Sequence, residues 1–138
     1  MESKSRFKSV SGAKRLKNAF GYSLEGLLFA WRSEAAFRQE LQLFLLMFLL
    51  SWGVALEAYQ YLTLLSSMML VLILELVNSA IEALADRITS EFDSHVKAAK
   101  DLGSAAVLLG LLWVIAVWCA WVLYPLCLKL VLYFSLIK

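Results

Sequence analysis

The sequence predicts an all-α membrane protein, with an N-terminal amphipathic surface helix followed by three transmembrane helices. Three observations predict it. The chain is 62% hydrophobic with a mean hydropathy of +0.74, far more apolar than a water-soluble domain of this size can conceal. Its apolar residues are gathered in three runs without a charged residue, Leu41–Leu56, Ala58–Leu74 and Leu102–Leu128, and a span needs about 20 residues. Finally, eight of the thirteen Lys and Arg lie before Leu41, an asymmetry of the kind that orients spans in a membrane. Three spans, a polar start and short loops use up the 138 residues as one membrane domain.

Residues 1–11 are polar and basic, with Lys4, Arg6 and Lys8 and no apolar period, and are expected to form a mobile tail. They do not lead into a short apolar run ending in small residues, so the N-terminus is expected to be retained. Over residues 12–38, Leu16, Ala19, Phe20, Leu24, Leu27, Leu28 and Trp31 recur at three- and four-residue steps among Lys14, Arg15, Lys17, Arg32 and Arg38. That is the composition of a helix lying in the membrane interface, and Gly21 and Gly26 are points where it can break. The spans are expected at about residues 39–56, 58–88 and 100–124. Only Glu57 separates the first two apolar runs, so a tight turn joins them. Helical sequence runs past Leu74 through Glu75, Asn78 and Glu82 to about Ile88, carrying a charged end toward the interface. Trp113, Trp118 and Trp121 are candidate anchors at the far interface. Residues 125–138 form an apolar extension with Lys129 and Lys138, either prolonging the third span or folding along the surface, with Pro125 permitting a kink.

Basic residues at the N-terminus and at Arg87, Lys97 and Lys100, with none at the Glu57 turn, place the N-terminus and second link in the cytoplasm and the C-terminus outside. Cys119 and Cys127 lie in apolar sequence without metal or redox spacing, and read as lipid-facing or packing residues. Ser79 with Ala83, and Ala106 with Gly110, show small-xxx-small spacing, which suits close helix approach within a subunit or between subunits.

Glu75 is the residue whose cost most needs explaining, because it follows the apolar run MMLVLIL. A carboxylate there needs a partner, a proton or a functional pocket. At 100° per residue, Glu75, Asn78, Glu82 and Asp86 fall within about 80° and form one polar stripe. Such a stripe supplies oxygen ligands for a hard cation such as Mg²⁺. His95 is the only histidine, so a histidine-based zinc centre is excluded. No G-x-x-x-x-G-K-[ST] loop or G-x-G-x-x-G turn is present, which excludes the soluble nucleotide-binding folds that depend on them. Asp86, Glu91 and Asp93 are equally readable as a solvated helix end, and Glu34 alone reads as a surface charge.

The segments AWRSEAAFRQE (Ala30–Glu40), ELVNSAIEALADRITSEF (Glu75–Phe92) and AKDLGSAAVLL (Ala99–Leu109) closely resemble the prokaryotic diacylglycerol kinase family, over about Arg15 to Trp121. The resemblance implies ATP-dependent phosphorylation of diacylglycerol to phosphatidic acid by a homotrimer in the bacterial inner membrane, with sites shared between neighbouring subunits. It implies Glu75 as general base, Glu34 and Glu82 as ligands holding Mg²⁺ against the ATP phosphates, and Asn78 as the residue ordering that cluster. Arg15, Tyr22, Glu91, Phe92, Asp93, Lys100 and Asp101 would line the nucleotide site. Ser104 and Ala36, Phe37, Arg38 and Gln39 would face the lipid, together with Arg15 and Glu75. Asn18, Phe20, Glu25 and Leu28 depart from the family pattern, as does the link around His95, and residues after Pro125 exceed the usual family length.

An apolar setting suits a carboxylate for taking a proton near neutral pH, and phosphoryl transfer asks mainly for positioning and charge neutralisation. A lipid hydroxyl at headgroup depth and ATP from the cytoplasm meet at the level of Glu75–Asp86. Two alternatives remain at this point. An undecaprenol kinase shares the Glu, Asn and Glu framework, although EAAFRQE and Asn78–Ser79 favour diacylglycerol. In a small oligomeric transporter Glu75 would be an ion site, but transport sites lie near the midplane, whereas this stripe runs into a charged end. The partners expected are diacylglycerol, ATP, membrane lipids and further copies of the chain, and no nucleic acid.

Overall fold

The computed structural model describes residues 12–52, 57–89 and 91–136. The expected tail of residues 1–11, the end of the first span at 53–56 and the last two residues lie outside the described residues. Those described form helices joined by short links, with no strand among them: α1 (Gly12–Ser33), α2 (Ala35–Ser51), α3 (Ala58–Ile88), α4 (Ser94–Trp118), a π-helical turn (Cys119–Leu123) and α5 (Tyr124–Leu136). Two helical stretches are long and apolar enough to cross a membrane, Ala58–Ile88 and Ser94–Tyr133. α2 has 17 residues, shorter than a typical span of about 20.

The chain divides into two compact units, residues 1–34 and 35–138. In the first, α1 runs unbroken through Gly21 and Gly26, because an isolated glycine costs a helix only about 1 kcal/mol. The amphipathic segment was expected to reach residue 38. The helix instead breaks at Glu34, whose backbone N–H still donates to Ala30 O at 2.9 Å, and α2 begins at Ala35.

The second unit is built on α3 and α4. The buried residues of α3 include Leu64, Met68, Val71, Glu75, Asn78 and Ala85, a three-and-four spacing that keeps one face toward its partner. The buried residues of α4 are Gly103, Val107, Gly110, Val114, Val117 and Trp118, the same spacing. Leu64, Met68, Val71, Val114, Val117, Trp118 and Val122 make the core, with Phe44 and Met47 of α2 packed against it. The ends of the helices are set by local chemistry. Gln60 Oε1 accepts from the Glu57 backbone N–H at 2.7 Å at the start of α3. Asp93 Oδ1 accepts from the N–H groups of His95 and Val96 at 2.8 and 2.9 Å, which caps α4.

The apolar extension prolongs the last helix. Pro125 cannot donate, and its ring crowds the carbonyl four residues back. The chain accommodates it with one wide turn, in which the Tyr124 N–H donates to Cys119 O, a five-residue step. Tyr59 stacks edge-on against Trp121 with ring centroids 5.7 Å apart, so α3 starts level with this turn. None of the described side chains of α5 is buried.

Candidate functional site

The packing stripe of α3 turns polar along its length. Leu64, Met68, Val71 and Leu72 give way to Glu75 and Asn78, which are 5% and 8% exposed. Glu82 is half-buried and Asp86 exposed, so the stripe emerges into solvent one turn at a time. Asn78 Nδ2 donates to Glu82 Oε1 at 3.0 Å. Asn78 Oδ1 is buried and receives no hydrogen bond, facing the backbone of α4 at Gly103.

Beyond that stripe lies a cleft of about 640 Å³, lined by Asp86, Thr89, Glu91, Phe92, Asp93, Val96, Lys97, Lys100 and Asp101. Its volume suits a small-molecule ligand. Lys100 Nζ donates to Asp86 Oδ1 at 2.8 Å, tying α4 to the end of α3, and Lys97 pairs with Asp101 one turn along α4. Five residues picked from the sequence for a nucleotide thus share one cleft, and of these Asp93 also caps α4.

The structure adds Glu40. Its carboxylate, on α2, is close enough to Glu75 for their charges to repel, and its Oε2 is buried without a hydrogen-bond partner. It also borders a cavity of about 30 Å³ among Phe44, Met47, Met68, Val71 and Val114, roomy enough for one water. Within FRQE it looks like any surface charge, and only the packing of α2 on α3 reveals it. Its one sequence signal is its place, seven residues before the uncharged MFLLSW run, on a helix whose other face is apolar.

The remaining candidates are distributed. Arg15 and Tyr22 are exposed on α1, and Glu34 ends the same unit, half-buried. Ser104, Ala36 and Gln39 are exposed and Arg38 is half-buried. Phe37 departs from the expectation that this stretch faces lipid, being turned inward and 5% exposed. Among the described residues, no group of three or more His, Cys, Asp and Glu side chains stands close enough to hold a metal ion within one chain. The donors present are nonetheless oxygen atoms of carboxylate and amide, with Asn78 Oδ1 and Glu40 Oε2 uncommitted. That chemistry fits a hard divalent cation whose shell is completed by water and phosphate oxygens.

Fold and site together define a helical membrane protein that carries a buried carboxylate and amide beside a charged, ligand-sized cleft. Residues 21–122 match the family model of prokaryotic diacylglycerol kinase. The chain is 45% identical over 111 residues to a protein named diacylglycerol kinase from Escherichia coli strain K12, covering 80% of this chain and 91% of that one. It is 41% identical over 116 residues to a diacylglycerol kinase of Pseudomonas aeruginosa, covering 84% and 94%. A diacylglycerol kinase of Helicobacter pylori is 38% identical over 109 residues, covering 79% and 85%. The chain belongs to the prokaryotic diacylglycerol kinase family, and is a kinase. The family match ends at Val122, inside the π turn, so α5 lies beyond it.

Proposed function

We propose that the chain transfers the γ-phosphoryl group of ATP to the free hydroxyl of diacylglycerol, giving phosphatidic acid and ADP at the cytoplasmic face of the bacterial inner membrane. The observation that carries this reading is the position of Glu75. It is a buried carboxylate on the face that also holds Asn78 and Glu82, between an apolar helix stretch and a charged cleft. The relatives reported above are all named diacylglycerol kinase, which does not favour the polyprenol alternative.

In this mechanism Glu75 accepts the proton of the lipid hydroxyl as that oxygen attacks the γ-phosphorus and the bond to the β-phosphate oxygen breaks. Asn78 holds Glu82 by its amide nitrogen. Glu82, with Glu34 of a neighbouring copy, would hold Mg²⁺, which when bound would neutralise charge on the transferring phosphoryl group. Lys100, Asp101 and the residues from Glu91 to Asp93 line the nucleotide cleft, and the family resemblance assigns Arg15 and Tyr22 to the nucleotide as well. Ser104 and the Ala36–Gln39 stretch meet the lipid, with Phe37 acting from inside as packing.

The same reading makes the active unit a homotrimer, with α2 as a third span, the basic N-terminus in the cytoplasm and the C-terminus outside. Glu34 and Glu82 then need not meet within one chain. One experiment tests donor, acceptor and reaction together. Purified protein in micelles receives labelled ATP, Mg²⁺ and either diacylglycerol or undecaprenol. Labelled phosphatidic acid is expected, and faster turnover of the polyprenol would overturn the substrate assignment.

A further inference from the structure

Gly103 is buried on the α4 face that meets α3. Its φ is not positive, so a glycine is required there by space and not by backbone conformation. A Cβ built on it would collide with Asn78 Oδ1 and stand 3.3 Å from Asn78 Cγ. The orientation of that amide is dictated chemically. A carboxylate only accepts, so Asn78 must turn its nitrogen to Glu82, at 3.0 Å, and its oxygen to α4. That oxygen is buried without an N–H or O–H donor, an arrangement that ordinarily costs stability. The bare Cα–H of a glycine is the one group that can approach it so closely, as a weak donor.

We propose that Gly103 is a positioning residue for phosphoryl transfer. Its missing side chain fixes the rotamer and plane of the Asn78 amide, and the amide aims Glu82. The inference rests on the roles given above to Asn78 and Glu82. Gly110 provides the contrast. It lies two turns along on the same face, but a Cβ there meets only Leu74 Cδ1 at 2.9 Å and Val71 Cγ2 at 3.3 Å. Those neighbours are apolar side chains, and the Asn78 amide is not among the atoms the Cβ would meet. An added methyl at Gly110 disturbs packing alone, whereas one at Gly103 turns the amide and releases Glu82.

The test compares Gly103→Ala, Gly110→Ala and Asn78→Ala in the full-length protein. Two quantities are read: kcat with diacylglycerol, and Mn²⁺ binding by electron paramagnetic resonance with a non-hydrolysable ATP analogue. Gly103→Ala is expected to lower kcat about 30-fold, in line with small misplacements of a catalytic group, to weaken Mn²⁺ binding, and to leave KM for diacylglycerol unchanged. Gly110→Ala keeps the parent Mn²⁺ binding. Parent-like values for Gly103→Ala, or equal shifts in both glycine variants, overturn the inference. Parent-like behaviour of Asn78→Ala instead removes the underlying reading of the site. Should Gly103→Ala fail to assemble, the double variant Gly103→Ala/Asn78→Ala, in which the space is reopened, assembles and binds Mn²⁺ as Asn78→Ala does. A double variant that also fails to assemble sinks the proposal.

Discussion

Glu75→Gln separates the chemistry of the buried carboxylate from its packing. The side chain is 5% exposed on the stripe between Leu72 and Asn78, so a truncation would leave a hole and confuse the result. Glutamine conserves volume, and volume-conserving changes in a core cost less than about 1.5 kcal/mol. It also ends the charge repulsion with Glu40, which works in favour of the folded state. Assembly and thermal stability should therefore stay close to the parent. Turnover should not, because a glutamine cannot take a proton. A positioned general base contributes about 10²–10⁴-fold, or roughly 3–5 kcal/mol of barrier. We expect kcat to fall by that factor with KM for ATP little changed, measured with labelled ATP and diacylglycerol in micelles, alongside size-exclusion chromatography. A well-assembled Glu75→Gln protein that retains kcat within about threefold, far above the expected loss, would refute Glu75 as the base.

Three further outcomes follow from other contacts. Glu82→Ala removes the acceptor for Asn78 Nδ2 and a metal ligand in the proposed site, so the Mg²⁺ concentration for half-maximal activity should rise; an unchanged Mg²⁺ titration argues against ligation. Lys100→Ala breaks an exposed pair with Asp86, so the thermal midpoint should hold while KM for ATP rises about tenfold, the scale of one charge-assisted hydrogen bond; equal KM values would place the nucleotide elsewhere. Leu64→Ala empties a core position that is 2% exposed among Met68, Val114 and Trp118, and should destabilise the protein by about 2 kcal/mol or more, read from unfolding in mixed micelles.

What could be read from the sequence depended on how local its cause was. The stripe from Glu75 to Asp86 was legible because a carboxylate after MMLVLIL is expensive wherever the helix goes, and helical spacing alone aligns it with Asn78 and Glu82. The charged end of α3 followed from the same pattern, whereas the last helix, expected from about residue 100, starts at Ser94 because Asp93 caps it there. Glu40 was illegible because its neighbours Arg38 and Gln39 are ordinary surface residues, and its burial comes from a different helix. Gly103 is illegible for a similar reason: a glycine in a helix reads as a flaw until the side chain it admits, 25 positions earlier, is placed beside it. Gly21 and Gly26 erred the other way, since a weak helix former does not break a helix whose neighbours all favour it. Phe37 shares its segment with exposed Ala36 and Gln39, and one residue of rotation within a helix suffices to turn its ring inward.

The unbroken course of the last helix through Pro125 has a geometric consequence. Ser94–Tyr133 is one 40-residue stretch, about 60 Å of helix at 1.5 Å per residue. Its uncharged run alone, Leu102–Leu128, measures about 40 Å, against a bilayer interior of about 30 Å. A straight rod of that length would have to lean by about 40°, already the edge of observed tilts, and the helix runs on beyond it to Tyr133. Either the rod bends at the wide turn or its last coils stand clear of the acyl chains, and in the proposed topology both routes put α5 at the opposite surface of the bilayer from the carboxylates.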